Sequence, residues 1–232
     1  MVQKKPKKSL IILTCNEIDG LKAIFKKIPL NSADEVFAVD WNSIDGTIEF
    51  FKSHKIPVIK QTIKGRGRAF IIGMEKAKGN HLLFYSPDGN EDPNDIPKLF
   101  KLLDEGFDMS IGSRFMKGSR NDEDNQSLKP RKWVNQAFSL LVRFFWGGGI
   151  TDSINGFRAI KKDSMQRLKL DAWSFYIEFQ MTIRALKLNM KIAEIPSIEG
   201  DRIGGVSKLI SMPEGFRYLK SLIREILIGE DF

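Results

Sequence analysis

Glu35-Val36-Phe37-Ala38-Val39-Asp40-Trp41-Asn42-Ser43-Ile44-Asp45-Gly46-Thr47 is the stretch that decides the fold. Its first six residues form an apolar, partly branched run of strand length. The run ends on a carboxylate and passes through Ser43, Asp45 and Gly46, residues suited to helix entry, into an amphipathic segment. The same unit recurs on either side. Residues 9–14, 57–60, 81–86 and 108–112 read as further strands, and residues 18–28, 46–54, 67–78 and 96–105 as the helices between them. Strands alternating with helices imply an α/β fold with a mostly parallel central sheet covered on both faces, because parallel neighbours need crossover helices that bury the sheet. Ligands in such folds bind beyond the carboxyl ends of the strands. The polar residues there are Asn16 and Glu17 after the first strand, 40–45 after the second and 88–92 after the fourth.

Residues 118–132 are polar, of mixed charge and without period, and read as a functional loop. An apolar helix at 133–146, a triple-glycine break at 147–149, a short segment near 157–160, a helix at 175–188, a strand at 191–195 and a last helix near 213–228 follow. No linker or repeat divides the chain, so residues 9–232 are expected to form one domain behind a basic tail at 1–8. The net charge is +8, but four lysines in the first eight residues leave only +4 elsewhere, a weak footprint for nucleic acid. The most apolar segment, residues 137–146, is broken by Ser139 and Arg143 and is too short to span a bilayer. The start lacks the apolar core and cleavage site of a signal peptide, so the expected location is cytoplasmic. One cysteine and two histidines rule out an internal disulfide and a cysteine-built zinc site, so any metal must be held by oxygens.

Asp40, at a strand end, suits a ribose diol or a base N–H, whereas Asp45, Gly46 and Thr47 are explained by helix capping. In Ser86-Pro87-Asp88-Gly89-Asn90-Glu91-Asp92-Pro93 the oxygen donors suit Mg²⁺ or Mn²⁺ on a diphosphate. Asp92 and Pro93 are also an ordinary helix start, which leaves Asp88 and Asn90 as the metal candidates. Gly65-Arg66-Gly67-Arg68-Ala69 lacks the third glycine and the position of a dinucleotide fingerprint, and suits a helix entry with arginines near a phosphate. Cys15 reads as a small buried side chain. Gly112-Ser113-Arg114, the segment Asp152 to Arg158, and Arg202 to Lys208 place cations in three separated turns, as a metal-bound diphosphate would require.

In order and spacing these segments resemble the inverting glycosyltransferases of family 2, in the dolichyl-phosphate mannose synthase-like branch with the GT-A fold. Thr14-Cys15-Asn16-Glu17 stands where the family has Thr-Tyr-Asn-Glu, and residues 39–47 follow its Val-Asp-Asp-Gly-Ser-x-Asp-Gly-Thr. Residues 65–69 are similar to Gly-Lys-Gly-x-Ala, residues 152–158 to Asp-x-x-(Ser/Asn)-Gly-Phe-Arg, and Arg202 with Ser207-Lys208 to Arg-x-x-Gly-x-Ser-Lys. Gly112-Ser113-Arg114 matches directly, and Glu178 stands where a family acid is expected.

The resemblance implies a GDP- or UDP-linked sugar donor bound by Thr14, Cys15, Glu17, Val39, Asp40, Arg68, Ser86, Pro87 and Asp88, in a nucleotide-binding half running to about residue 115. It implies a divalent metal, Mg²⁺ or Mn²⁺, at Asp88 and Asn90, and Asp88, Arg114, Arg202 and Lys208 at the reacting diphosphate. It places Asp152, Asn155, Arg158, Glu178, Arg202, Ser207 and Lys208 on the acceptor side, facing a polyprenyl phosphate or another glycan precursor. A lipid phosphate is already an anionic nucleophile, so alignment and charge stabilisation rather than a strong base would carry the reaction. The family's Asp-x-Asp is Ser86-Pro87-Asp88 here, its second Val-Asp-Asp carboxylate is Trp41, and its tyrosine is Cys15. The loss at Ser86 admits a second reading, a weakened nucleotide-sugar binder serving a partner. Phe216, Leu219, Leu222, Ile223, Ile226 and Leu227, with Arg217, Lys220 and Arg224 between them, form a stripe suited to a membrane surface, a membrane-protein partner, core packing or a homodimer contact.

Overall fold

The computed structural model describes residues 7–121, 123–126, 128–203 and 211–232. Its strands are β1 (Lys8–Thr14), β2 (Glu35–Asp40), β3 (Val58–Lys60), β4 (His81–Tyr85), β5 (Met109–Ser113), β6 (Arg158–Lys161) and β7 (Ile192–Pro196). They form one seven-stranded sheet in the order β3-β2-β1-β4-β6-β5-β7. The pairs β3–β2, β2–β1 and β1–β4 are parallel, as is β5–β7. β6 runs against both its neighbours, inserted between β4 and β5. The helices are α1 (Ile18–Ile24), α2 (Thr47–Ser53), α3 (Arg66–Lys76), α4 (Ile96–Asp104), α5 (Pro130–Trp146), α6 (Lys162–Arg167), α7 (Ile177–Lys187) and α8 (Ser211–Leu227).

Continuous apolar runs suit strands covered on both faces, and alternation of side chains then assigns each residue to a layer. Ile11, Leu13, Phe37, Val39 and Phe84 pack on one side of the sheet with Phe70 of α3 and Met181 of α7. Leu10, Ile12, Ala38 and Leu83 pack on the other with Phe51 of α2 and Leu99 and Phe100 of α4. The register sets Thr14 opposite Asp40, so the ends of β1 and β2 are neighbours.

Three local features differ from the sequence reading. The first helix closes at Ile24 and continues as a 3₁₀ turn, Phe25–Lys27. Helix α5 begins at Pro130, inside the expected loop, because proline tolerates the first helical position. Helix α6, with six residues, is too short to show a period.

A third, smaller core joins Val142 of α5, Phe179 and Ile183 of α7, and Tyr218 and Leu222 of α8. Glu225, fully buried, fastens α8 to α7 by accepting bonds from Arg184 Nε (3.0 Å), Lys187 Nζ (2.8 Å) and Gln180 Nε2 (3.1 Å). Burial alone would raise its pKa; the bonds from Arg184 and Lys187 outweigh burial and hold the carboxyl below its usual range. Of the stripe on the last helix, Leu222 belongs to this core. Phe216, Leu219, Ile223, Ile226 and Leu227 remain exposed. Arg224 is committed to Asp171 (2.8 and 2.5 Å), and Arg217 stacks over Trp173. Among the described residues no helix is long and apolar enough to cross a membrane.

Candidate functional site

Beyond the carboxyl ends of β4 and β5 lies a cavity of about 790 Å³. One end is polar, lined by Arg66, Ser86, Asp88, Asn90, Glu91, Arg114, Glu178, Glu199 and Arg202. The other is apolar, with Val134, Ala137, Phe138 and Leu141 from α5 facing Phe216 and Leu219 from α8, and Arg131 and Lys132 also line the wall.

The polar end is built on the segment after β4. Gly89 turns with φ of +90° and Asp88 Oδ1 accepts the Asn90 N–H (3.1 Å), which curls residues 88–90 into the cavity. Helix α1 abuts this segment: a Cβ on Gly20 would lie 2.3 Å from the Pro87 carbonyl oxygen and 2.9 Å from Asp88 Cα. Gly20→Ala is therefore expected to cost about 1–3 kcal/mol through forced backbone shifts. Urea unfolding reads this directly, and an unchanged midpoint would show that the contact yields freely.

Arg202 crosses the polar end. Its Nη1 donates to Asp88 Oδ2 (2.8 Å) and its Nη2 to both Glu17 carboxylate oxygens (2.7 Å each), tying the segment after β7 to those after β1 and β4. Arg114 lies opposite, paired in a fork with the fully buried Asp152 through Nε–Oδ2 (2.7 Å) and Nη2–Oδ1 (3.0 Å). Burial pushes Asp152 up, but the Arg114 charge and its hydrogen bonds more than offset this and hold the carboxyl below its usual range.

Arg66 is the third cation, and the Gly65-Arg66-Gly67 spacing explains its position. A Cβ on Gly67 would lie 2.0 Å from the Ala172 carbonyl oxygen, so only glycine lets α3 start against residues 172–173. That approach turns Arg66 inward, where Nε pairs with Glu178 Oε1 and Nη1 reaches Ser86 Oγ (3.2 Å). Glu178 is 2% exposed and its Oε2 has no hydrogen-bond partner among the described residues. Glu91 Oε2 accepts the Ser86 N–H (3.0 Å), and burial, reinforced by the nearby Asp88 charge, pushes the Glu91 carboxyl up to about 8.

Of the residues expected at the site, the cavity thus gathers Ser86, Asp88, Asn90, Arg114, Asn155, Glu178 and Arg202. Thr14, Val39 and Asp40 are buried at the ends of β1 and β2, outside its walls. Asp40 accepts bonds from Thr14 Oγ1 (2.8 Å), Ser43 Oγ (2.5 Å) and Ser43 N (2.9 Å), which hold the 40–43 turn. Cys15 is half-buried rather than sealed in the core, and Glu17 is joined to the cavity wall through Arg202. Pro87 is buried beneath the Asp88 segment. Arg68 is exposed on α3 and does not line the cavity; Arg66, two residues earlier, does. Arg158 is fully buried on β6, bonded to the carbonyls of Asn155 (2.8 Å) and Glu178 (2.8 Å) and to Thr182 Oγ1 (3.2 Å), and burial pulls its pKa down to about 10. It braces the wall from behind. Ser207 and Lys208 lie outside the described residues.

The sequence places the arginines of residues 65–69 near a phosphate and Glu91 among the oxygen donors after β4, but the expected site includes neither Arg66 nor Glu91, nor Glu199. Arg66 had a signal in its flanking glycines. Glu199 had none; the bridge to Glu91, the ion pair with Arg114 Nη1 (3.6 Å) and the bond from Asn121 Nδ2 (2.6 Å) place it at the site.

Comparison with known proteins agrees with this geometry. Residues 9–169 match the family described as Glycosyl transferase family 2. The undecaprenyl-phosphate mannosyltransferase of Micrococcus luteus is 30% identical, over 86% of this chain and 86% of its own length. The dolichol-phosphate mannosyltransferase of Pyrococcus furiosus is also 30% identical, over 94% of this chain, which spans only 63% of that relative. Among solved structures, glucosyl-3-phosphoglycerate synthase of Mycobacterium tuberculosis, in complex with Mn²⁺, uridine diphosphate and phosphoglyceric acid, superposes with a TM-score of 0.73 at 17% identity, covering 95% of this chain and 78% of that one. The likeness extends the α/β reading to the GT-A fold. The chain belongs to glycosyl transferase family 2.

Proposed function

We propose that the chain transfers a hexose from a nucleoside-diphosphate sugar to a polyprenyl phosphate, with inversion at the anomeric carbon and the assistance of Mg²⁺ or Mn²⁺. One observation carries this reading: the cation-rich polar end and the apolar slot between α5 and α8 are two ends of one cavity. A phosphate at the polar end would leave its hydrocarbon chain along Val134, Phe138, Leu141, Phe216 and Leu219. The undecaprenyl-phosphate and dolichol-phosphate mannosyltransferases among the relatives support mannose as the sugar.

The residues present fit a divalent cation. Asn90 Oδ1, beside the Asp88 carboxylate, is buried and has no hydrogen-bond partner among the described residues, so Asp88 and Asn90 would hold the ion. Among the described residues no three His, Cys, Asp or Glu side chains gather as a ready cage. That suits an ion bound through one or two carboxylates together with substrate phosphates. When bound, the ion neutralises charge on the departing diphosphate. Arg202 holds Asp88 and Glu17 in place, and Arg66 and Arg114 offer positive charge to donor and acceptor phosphates. The nucleoside lies at the ends of β1 and β2, against Cys15 and the backbone of residues 14–17 and 39–42. Arg131 and Lys132 draw the acceptor phosphate in from the slot.

Exposed Trp133, Leu140, Phe144 and Phe145 on α5 and Phe216, Ile223 and Leu227 on α8 extend the apolar slot outward. They support a peripheral position at a membrane face, where the lipid acceptor is available. Leu141→Asp is expected to raise the KM for a long-chain polyprenyl phosphate about tenfold or more, because at least ~1.5 kcal/mol of apolar contact is lost. The donor KM should stay unchanged. Steady-state kinetics with both substrates varied separates the two, and a donor effect alone would move the acceptor elsewhere. The Ser86 substitution favours a second reading, a weakened nucleotide-sugar binder. Such a protein would show no Mn²⁺-dependent hydrolysis of the donor, which a transferase shows as leakage.

A further inference from the structure

We propose that Glu91 supplies the second carboxylate of the cation site, replacing the one absent at Ser86. The inference rests on the metal-assisted reading above and names a ligand for it that the family's Asp-x-Asp spacing does not contain.

Residue 86 lies at the end of β4 and brings only a hydroxyl, which is engaged by Arg66 Nη1 (3.2 Å). The backbone turn at 88–90 folds residue 91 back over this position, so that Glu91 Oε2 stands 3.0 Å from the Ser86 amide nitrogen. A carboxylate from residue 91 therefore lies against the backbone of the position where the family pattern has its first carboxylate. Residue 91 is fixed there by its backbone: its carbonyl accepts from Tyr85 Oη (3.2 Å), and it forms an antiparallel bridge with Glu199. Glu91 lines the same cavity end as Asp88 and Asn90. Beside it Asn90 Oδ1 is buried and has no hydrogen-bond partner among the described residues. Two carboxylates crowded at one cavity end, with an orphaned amide oxygen between them in sequence, form an oxygen set that a hard divalent cation would satisfy. A role confined to the Ser86 amide would use one oxygen and would need no charge, since a glutamine oxygen accepts the same bond.

The test measures Mn²⁺ binding by electron paramagnetic resonance and calorimetry on the full chain, with UDP or GDP present. Glu91→Gln keeps an acceptor for the Ser86 amide and removes the charge. A Mn²⁺ dissociation constant raised about tenfold or more is expected. Recovery to within about threefold of the wild type is expected when Ser86→Asp is added, because a carboxylate then returns from the other side of the site. Ser86→Asp with Glu91→Ala moves the carboxylate outright and keeps the test open if Glu91→Gln does not fold; near-native Mn²⁺ affinity is expected there too. Unchanged affinity in Glu91→Gln, with binding abolished in Asp88→Asn, overturns the assignment of Glu91 and leaves the metal reading standing. A loss that Ser86→Asp does not repair confines Glu91 to the Ser86 amide and overturns the proposal. Absence of Mn²⁺ binding in the wild type overturns the metal reading, and this inference with it.

Discussion

Asp88→Asn is expected to lower turnover by about 10²–10³-fold and to remove the metal dependence of donor binding. The substitution isolates charge from shape. Asp88 Oδ1 accepts the Asn90 N–H and Oδ2 accepts from Arg202 Nη1. An asparagine can keep one of these acceptors, so the 88–90 turn survives while the negative charge facing the cavity is lost. Arg202 then retains only Glu17 as a charged partner among its described contacts at this end of the site. Titration of donor with and without Mn²⁺, alongside single-turnover transfer, separates binding from chemistry. Metal-dependent turnover surviving in Asp88→Asn would mean that the cation binds elsewhere.

Arg114→Met is expected to destabilise the fold by about 3–5 kcal/mol, the cost of leaving a buried partner charge unpaired. Asp152 is fully buried and takes three of its bonds from Arg114: Nε (2.7 Å), Nη2 (3.0 Å) and the backbone N–H (3.2 Å). Only the backbone bond survives in the variant. The pH dependence has a definite sign. With its partner, Asp152 titrates below the unfolded value of 3.8, so the pair's stabilisation is present above that value and lost as pH falls through the lower, folded pKa. Without Arg114, burial dominates and raises Asp152, so the deficit of the variant shrinks as the pH is lowered and the carboxyl takes up a proton. Adding Asp152→Asn to Arg114→Met should restore much of the loss at neutral pH. Denaturant unfolding of the two single variants and the double variant measures this, and additive losses would show that the two side chains are not coupled.

The strand–helix alternation around Glu35–Asp40 was legible because buried parallel strands carry their signal in every residue. β6 was not: four residues of mixed character, Arg158 to Lys161, become an antiparallel strand only because β4 and β5 stand apart to receive them. Asp88, Asn90 and Arg202 were legible from their place at loop ends. Arg158 shows the limit of such reading, since a cation in a ligand-like box is spent on carbonyls behind the wall. Arg66 and Arg68 are both plausible from spacing, and the choice between them follows from helix phase and from the contact of Gly67 with residue 172, which spacing does not contain. The apolar slot was half visible. The stripe on α8 was periodic, but which of its residues enter the core was decided by the burial of Glu225 against α7.

The most direct test of the central claim is transfer of a radiolabelled hexose from GDP- and UDP-linked donors to a polyprenyl phosphate, followed by organic extraction, with Mn²⁺ present and again after chelation. Lipid-linked label that forms with one donor, depends on the metal and falls by about 10²–10³-fold in Asp88→Asn is the predicted result. Donor binding with no lipid-linked product, with or without metal, would contradict it.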